Sequence, residues 1–250
     1  MNERERLAGL SVRYGGSWSR IHKALQADEA CSIPVRENYI TIYDETYPPQ
    51  LRSLQQPPWV LFYEGDISLL QLPMMTVIGS RRMTGYGAKM TETAVSILRR
   101  QFVIVSGLAM GVDACAHKCA MAGGHTIGVI GSGLKTRYPA GNTLLYEQMG
   151  RTDLILSEFP YDVPVARQNF PWRNRILAAL GQGTVVTQAA EKSGTLITVN
   201  EALELDRDVY CFPWPFNDPA GAGCLRLINE GAQLLPDPDS IRAIVPRLRF

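Results

Sequence analysis

Between residues 74 and 213 the apolar positions gather into short runs bounded by Gly, Pro or Ser. The runs are MMTVIG (74–79), FVIVSG (102–107), HTIGVIG (125–131), DLILSE (153–158), GTVVTQ (183–188) and DVYCFP (208–213). Each is apolar nearly throughout rather than alternating, the pattern of a strand covered on both faces in a parallel sheet. Mixed polar and apolar segments lie between them at 85–100, 111–122, 141–150, 171–180, 194–206 and about 221–231, long enough for crossover helices. Repeated βα units of this kind predict an α/β fold with an extended Rossmann-like, doubly wound and mainly parallel sheet.

Before residue 70 the pattern changes. Residues 6–30 predict one or two short helices, and 47–66 (YPPQLRSLQQPPWVLFYEGD) is Pro-rich with an extended aromatic–aliphatic run after Pro57-Pro58. Because a Pro-Pro pair fits neither a helix interior nor a central strand, this stretch is read as a rigid arm. Two units are expected: an N-terminal helical segment and arm (1–70), and a Rossmann-like domain (71–250). After residue 236 a turn, a short helix and a frayed end are expected.

In a parallel α/β sheet, ligands bind beyond the carboxyl ends of the strands. The loops there read Gly79-Ser80-Arg81-Arg82, then Ser106 to Gly111 with Gly107 between, then Gly131 to Tyr138 with Lys135 and Arg137, and finally Glu191-Lys192-Ser193-Gly194-Thr195. Glycine and small hydroxyl residues let backbone N–H groups approach an anion, and helix N-termini add partial positive charge. Converging on one edge, these loops predict an electropositive pocket for phosphate. Neither the dinucleotide GxGxxG fingerprint nor a P-loop is met, so no cofactor is expected.

A further segment, Asn169-Phe170-Pro171-Trp172-Arg173-Asn174-Arg175, sets arginines beside aromatic rings, which suits a nucleic-acid strand. Its spacing fits equally well an Arg–carboxylate pair that fixes a helix, with Phe170 and Trp172 in the core. Catalytic groupings are thin. Three histidines (His22, His117, His125) are scattered, and Asp113 and Glu158 are the acids near strand ends in the first half of the sheet. On a helix Cys115 and Cys119 share one face while His117 points elsewhere, so a buried cysteine stripe is expected rather than a metal site, with His117 bridging loops.

Charge sharpens this picture. Residues 79–192 hold 13 Lys/Arg against 7 Asp/Glu, whereas 1–78 hold 7 against 9 and 193–250 hold 5 against 8. Positive charge is therefore concentrated where the pocket loops lie, as a polyanion would require. Five scattered cysteines, opening residues without an apolar leader core, and no long apolar run predict a reduced, cytoplasmic protein without a membrane span.

In these motifs the chain resembles the DNA-processing protein A (DprA/Smf) family. The resemblance runs from about residue 47 to 235 through YPPQL, PPWVLFYEG, VIGSRRMTGYG, VSGLAMGVDACAH, GHTIGVIGSGLKTRYPAGN, SEFP, NFPWRNRILAAL, EKSGTLITVNEAL and INEGAQLL. It implies single-stranded-DNA binding, a homodimer, and loading of RecA during natural transformation and recombination, with no catalysis. The family's loops fall on Gly79 to Arg81, Ser106 to Asp113, Lys135 and Arg137, Phe170 to Arg175, and Ser193 to Thr198. Where the family usually reads VVEA this chain has Val185-Val186-Thr187-Gln188-Ala189, and where it reads VPG this chain has Phe212-Pro213-Trp214. A competing enzyme reading rests on Rossmann-like proteins that cleave nucleoside monophosphates with PGGxGTxxE. Here the glycine pair is missing and Glu201 follows Thr195 by six residues, not three. A small-nucleotide sensor is the third class. Leu225, Leu227, Ile228, Leu234 and Leu235 are candidates for a dimer patch, or equally for ordinary core.

Overall fold

The computed structural model describes residues 2–245. Its centre is a sheet whose strands lie in the order β1-β2-β6-β5-β4-β3-β7-β8-β9. The strands are β1 (Tyr39–Thr41), β2 (Val60–Gly65), β3 (Met74–Gly79), β4 (Val103–Ser106), β5 (Thr126–Ile130), β6 (Leu154–Ser157), β7 (Gly183–Gln188), β8 (Asp208–Cys211) and β9 (Gln233–Leu234). From β6 across to β9 every pairing is parallel. The six predicted runs supply β3 to β8. Strands β4, β5, β6 and β7 are buried at every position, which is why their sequences do not alternate.

From β3 the chain winds outward through β4, β5 and β6, then returns to the other side of β3 as β7, β8 and β9. Two of the helices of the first winding, α3 (Gly85–Leu98) and α4 (Val112–Met121), pack on each other and share a core with Val77 and Ile104. After the return, α6 (Asn169–Leu180) and α7 (Thr195–Glu204) pack together, with α8 (Ala222–Asn229) beside β7 and β8. The switch point of the winding therefore falls between β3 and β7.

The arm differs from its expected form. Its run after Pro57-Pro58 is β2, which joins the central sheet antiparallel to β6 and carries β1 outside it. The two prolines stand just before the strand: the Pro58 carbonyl accepts from the Tyr47 hydroxyl at 2.8 Å, and that of Pro57 from the Trp18 indole at 2.8 Å. Strand β2 alternates across the sheet. Val60 and Phe62 meet α1 (Glu3–Arg13), α2 (Trp18–Gln26) and α5 (Thr143–Thr152), while Leu61 meets the arm and α6. The short helix expected after residue 236 is α9 (Pro238–Arg242), and the end beyond residue 245 lies outside the described residues.

Candidate nucleic-acid interface

The loop after β3 is built to hold its backbone still. Ser80 N–H donates to the Gln188 carbonyl at 2.9 Å, and the Ser80 carbonyl accepts from Val112 N–H at 3.1 Å. The Gln188 side chain accepts from Thr84 N–H at 2.9 Å and donates to the Arg82 carbonyl at 3.3 Å. An amide makes both bonds; a carboxylate at this position would lack the donor for the second. The Gln188 amide is thus a brace for the arginine loop. Gly111 sits at φ +74°, and a Cβ there would lie 2.3 Å from the Ser80 carbonyl oxygen. Only glycine fits that approach. Arg81 and Arg82 are left on the solvent side of this frame.

Beneath the loops lies a buried polar layer. The Arg173 guanidinium donates to the carbonyls of Gly107, at 2.9 Å, and Val129. Asp113 accepts from the backbone N–H of Gly107 at 3.2 Å and of Ala109 at 3.4 Å. Burial pushes the Asp113 carboxyl up, and the neighbouring Arg173 opposes that rise. Burial also lowers Arg173, to about 10, which leaves it charged at neutral pH. His117 Nε2 accepts from Leu108 N–H at 3.3 Å, so its proton sits on Nδ1 and faces Thr126 Oγ1 at 2.6 Å. The Thr126 hydroxyl in turn donates to the Ile104 carbonyl. Burial lowers His117 to about 3, so the ring is neutral. His117 joins the loop after β4 to strand β5 rather than bridging two loops. Cys115 and Cys119 are only partly buried, unlike the covered stripe expected of them, because the covered face of α4 belongs to Val112, Ala116 and Ala120.

The residues expected to contact a strand divide into three groups. Arg81, Arg82, Lys135, Lys192 and Gly194 are exposed. Lys135 pairs with Asp162 at 2.8 Å, both side chains largely in solvent, and such a pair yields easily to a phosphate. Phe170 is partly exposed, with the Arg81 guanidinium 5.4 Å from its ring centre and the Tyr138 ring 5.8 Å away. Tyr138 and Met110, both close to half exposed, complete an aromatic and apolar rim that the sequence reading did not single out. Tyr138 could have been found as the ring next to Arg137 in the same loop.

The second group is engaged internally. Arg173 and Arg175 do not face solvent as expected of strand contacts. Arg175 makes a buried two-point pair with Glu158 at 2.8 and 2.7 Å and lies 4.0 Å from the Trp172 ring centre. The helix-fixing alternative therefore describes it. Arg137 is held by both Glu64 oxygens at 3.0 and 2.7 Å, and Asn174 accepts from Arg173 at 3.3 Å. The third group consists of tight fits. A Cβ on Gly79 would meet Val112 at 2.7 Å, and one on Gly107 would meet Asp113 at 2.7 Å and Arg173 at 2.8 Å. Ser193 Oγ accepts from the buried Thr195 N–H at 3.2 Å and shapes the entry to α7.

Among the described residues no group of three or more His, Cys, Asp or Glu could hold a metal ion. No helix among them is long and apolar enough to cross a membrane. Glu201, the acid of the enzyme reading, lines a separate groove with Trp172 and Gln168.

Residues 38–246 match the family model described as DNA recombination-mediator protein A. DNA processing protein DprA of Streptococcus pneumoniae is 42% identical over 205 residues, which cover 81% of this chain and 72% of that protein. Protein Smf of Escherichia coli is 40% identical over 240 residues, 93% of this chain and 63% of that protein. The X-ray structure of the pneumococcal DprA superposes with a TM-score of 0.83 at 33% identity, covering 98% of this chain and 94% of that one. The Helicobacter pylori DprA, described for its single-stranded-DNA binding mode, superposes at 0.75 and 30% identity over 83% of this chain and 95% of its own. The chain belongs to the DNA recombination-mediator protein A family, which makes it a recombination mediator and not an enzyme.

Proposed function

We propose that this chain binds single-stranded DNA along the carboxyl edge of its sheet and hands the strand to RecA, acting in the cytoplasm as a homodimer. The observation that carries this reading is the cluster of Arg81, Phe170 and Tyr138 on rigid backbone. A cation pairs with a phosphate while the rings offer faces to unpaired bases, the two contacts that a flexible single strand can make together. A duplex keeps its base faces stacked and offers the rings nothing. Arg82, Lys192 and Lys135 extend the positive edge on both sides of the switch point. The description of the Helicobacter relative as a single-stranded-DNA binder supports the same assignment.

For the dimer, the support is β9, the edge strand of the sheet among the described residues. Leu234 in β9 is 45% exposed, and Leu225 and Ile228 on α8 are partly buried, whereas Leu227 and Leu235 are core. An exposed edge strand with apolar neighbours pairs readily with its own copy. Two strand sites in one particle raise the local concentration of DNA for a partner. The test is to add the protein to DNA coated with single-strand-binding protein and follow RecA filament growth. Faster growth is expected; unchanged growth at saturating protein would remove the mediator role.

A further inference from the structure

On the far side of the first turn of α6 lies a groove of about 500 Å³ that the carboxyl edge does not use. Its lining includes Trp18 and Trp172, with Gln56, Gln168 and Asn169 among them. Both rings are locked. Trp18 donates to the Pro57 carbonyl and stacks on Trp59 at 5.3 Å, while Trp172 donates to Glu158 at 2.7 Å and carries Arg175 against its ring. Asn169 is 8% exposed and lines the groove.

We propose that this groove is a second base-binding site, in which an unstacked nucleobase of the bound strand lies against the Trp18 and Trp172 rings and pairs its edge with the Asn169 amide. The inference rests on the strand-binding reading above. Aromatic faces with side-chain amides are the chemistry that accepts a base, since the rings take the π-face and the amide offers donors and acceptors to the edge. The volume lies within the range of small-ligand sites, about 300–1,000 Å³. Continuity comes from the sequence itself. Asn169 lines the groove and the next residue, Phe170, carries the ring beside Arg81, so one strand passing the N-terminus of α6 meets both. Exposed Arg167, two residues before Asn169, stands ready for the intervening phosphate.

The experiment uses the full chain and fluorescein-labelled oligothymidines of about 4 and about 16 nucleotides, the span of single-strand site sizes. Gln168→Ala and Asn169→Ala should bind the short strand like the unaltered protein and the long one about fivefold or more weakly. The long strand should also quench tryptophan emission more than the short one, and Trp172→Phe should shrink that extra quenching. Gln168 is exposed, so its variant decides the matter if Asn169→Ala does not fold. Normal affinity of the variants at both lengths overturns the groove site and leaves the edge site standing. Equal weakening at both lengths also overturns it, because the amides would then act at the edge. No binding of either strand by the unaltered protein overturns both readings.

Discussion

Two arginines near the carboxyl edge of the sheet have opposite fates here, and burial decides which is which. Arg81 is exposed and pairs with a ring, so its charge remains available to an anion. Hydrogen bonds to charged groups contribute roughly 1.5–3 kcal/mol, and Arg81→Ala should therefore weaken oligothymidine binding about tenfold or more while the urea midpoint stays put. Lys135→Ala should weaken it less, because Asp162 competes for the same ammonium. Normal affinity of the Arg81 variant would place that residue outside the site. Arg173 is 4% exposed and holds the Gly107 and Val129 carbonyls beside Asp113. Removing it strands a buried carboxyl, and Arg173→Ala should cost about 3–5 kcal/mol in urea unfolding. Unchanged stability would contradict the prop role. Arg81 meets the Phe170 ring in space, and Arg173 follows Trp172 in sequence, so the residue types alone could not separate them. What separates them is that α6 turns Arg173 under the loops, a tertiary fact with no local signature.

At the scale of elements, α4 is tied to the sheet through a neutral histidine. His117 is held at about 3 in the folded protein against an ordinary 6.5, so the unfolded chain binds the extra proton first. Its contribution is complete above pH 6.5 and is lost as pH falls toward 3. By about pH 5.5 the loss amounts to about 1.4 kcal/mol, and the unfolding free energy should drop more steeply for the unaltered protein than for His117→Gln. Parallel pH profiles for the two would show that His117 does not carry the proton linkage.

The elements themselves were largely legible. Doubly covered strands have no polar face, and each such run between Gly or Pro signals reappears as a strand from β3 to β8. Less visible were β1 and β9, three and two residues long, too short for any period to register. Strand β2 was visible as extended chain but not as part of the central sheet. Its partner β6 lies far downstream, with Phe62 paired to Ser157, and Pro57-Pro58 suggested an appended arm. The loops of the site were found because Gly, Ser and Arg cluster after strands. Which cations stay free was not legible, since Glu64, Glu158 and Asp162 reach theirs from distant segments.

Over the whole molecule, nearly balanced charge conceals a positive edge at the β3–β7 switch point, flanked by segments of opposite sign. A strand crossing from the β5 loop to the β7 loop spans three strand spacings, about 14 Å, which limits it to a few phosphates at this edge. The free or easily freed cations there are Arg81, Arg82, Lys135 and Lys192. Each phosphate neutralised on a single strand lowers log K by about 0.7 per unit of log salt. The most direct test is a salt titration of binding to oligothymidine and to a duplex of equal length. A slope of about −2 to −3 is expected for the single strand, from three or four contacts, with clearly weaker binding of the duplex. A slope near zero, or equal affinity for the two forms, would contradict single-strand binding at this edge.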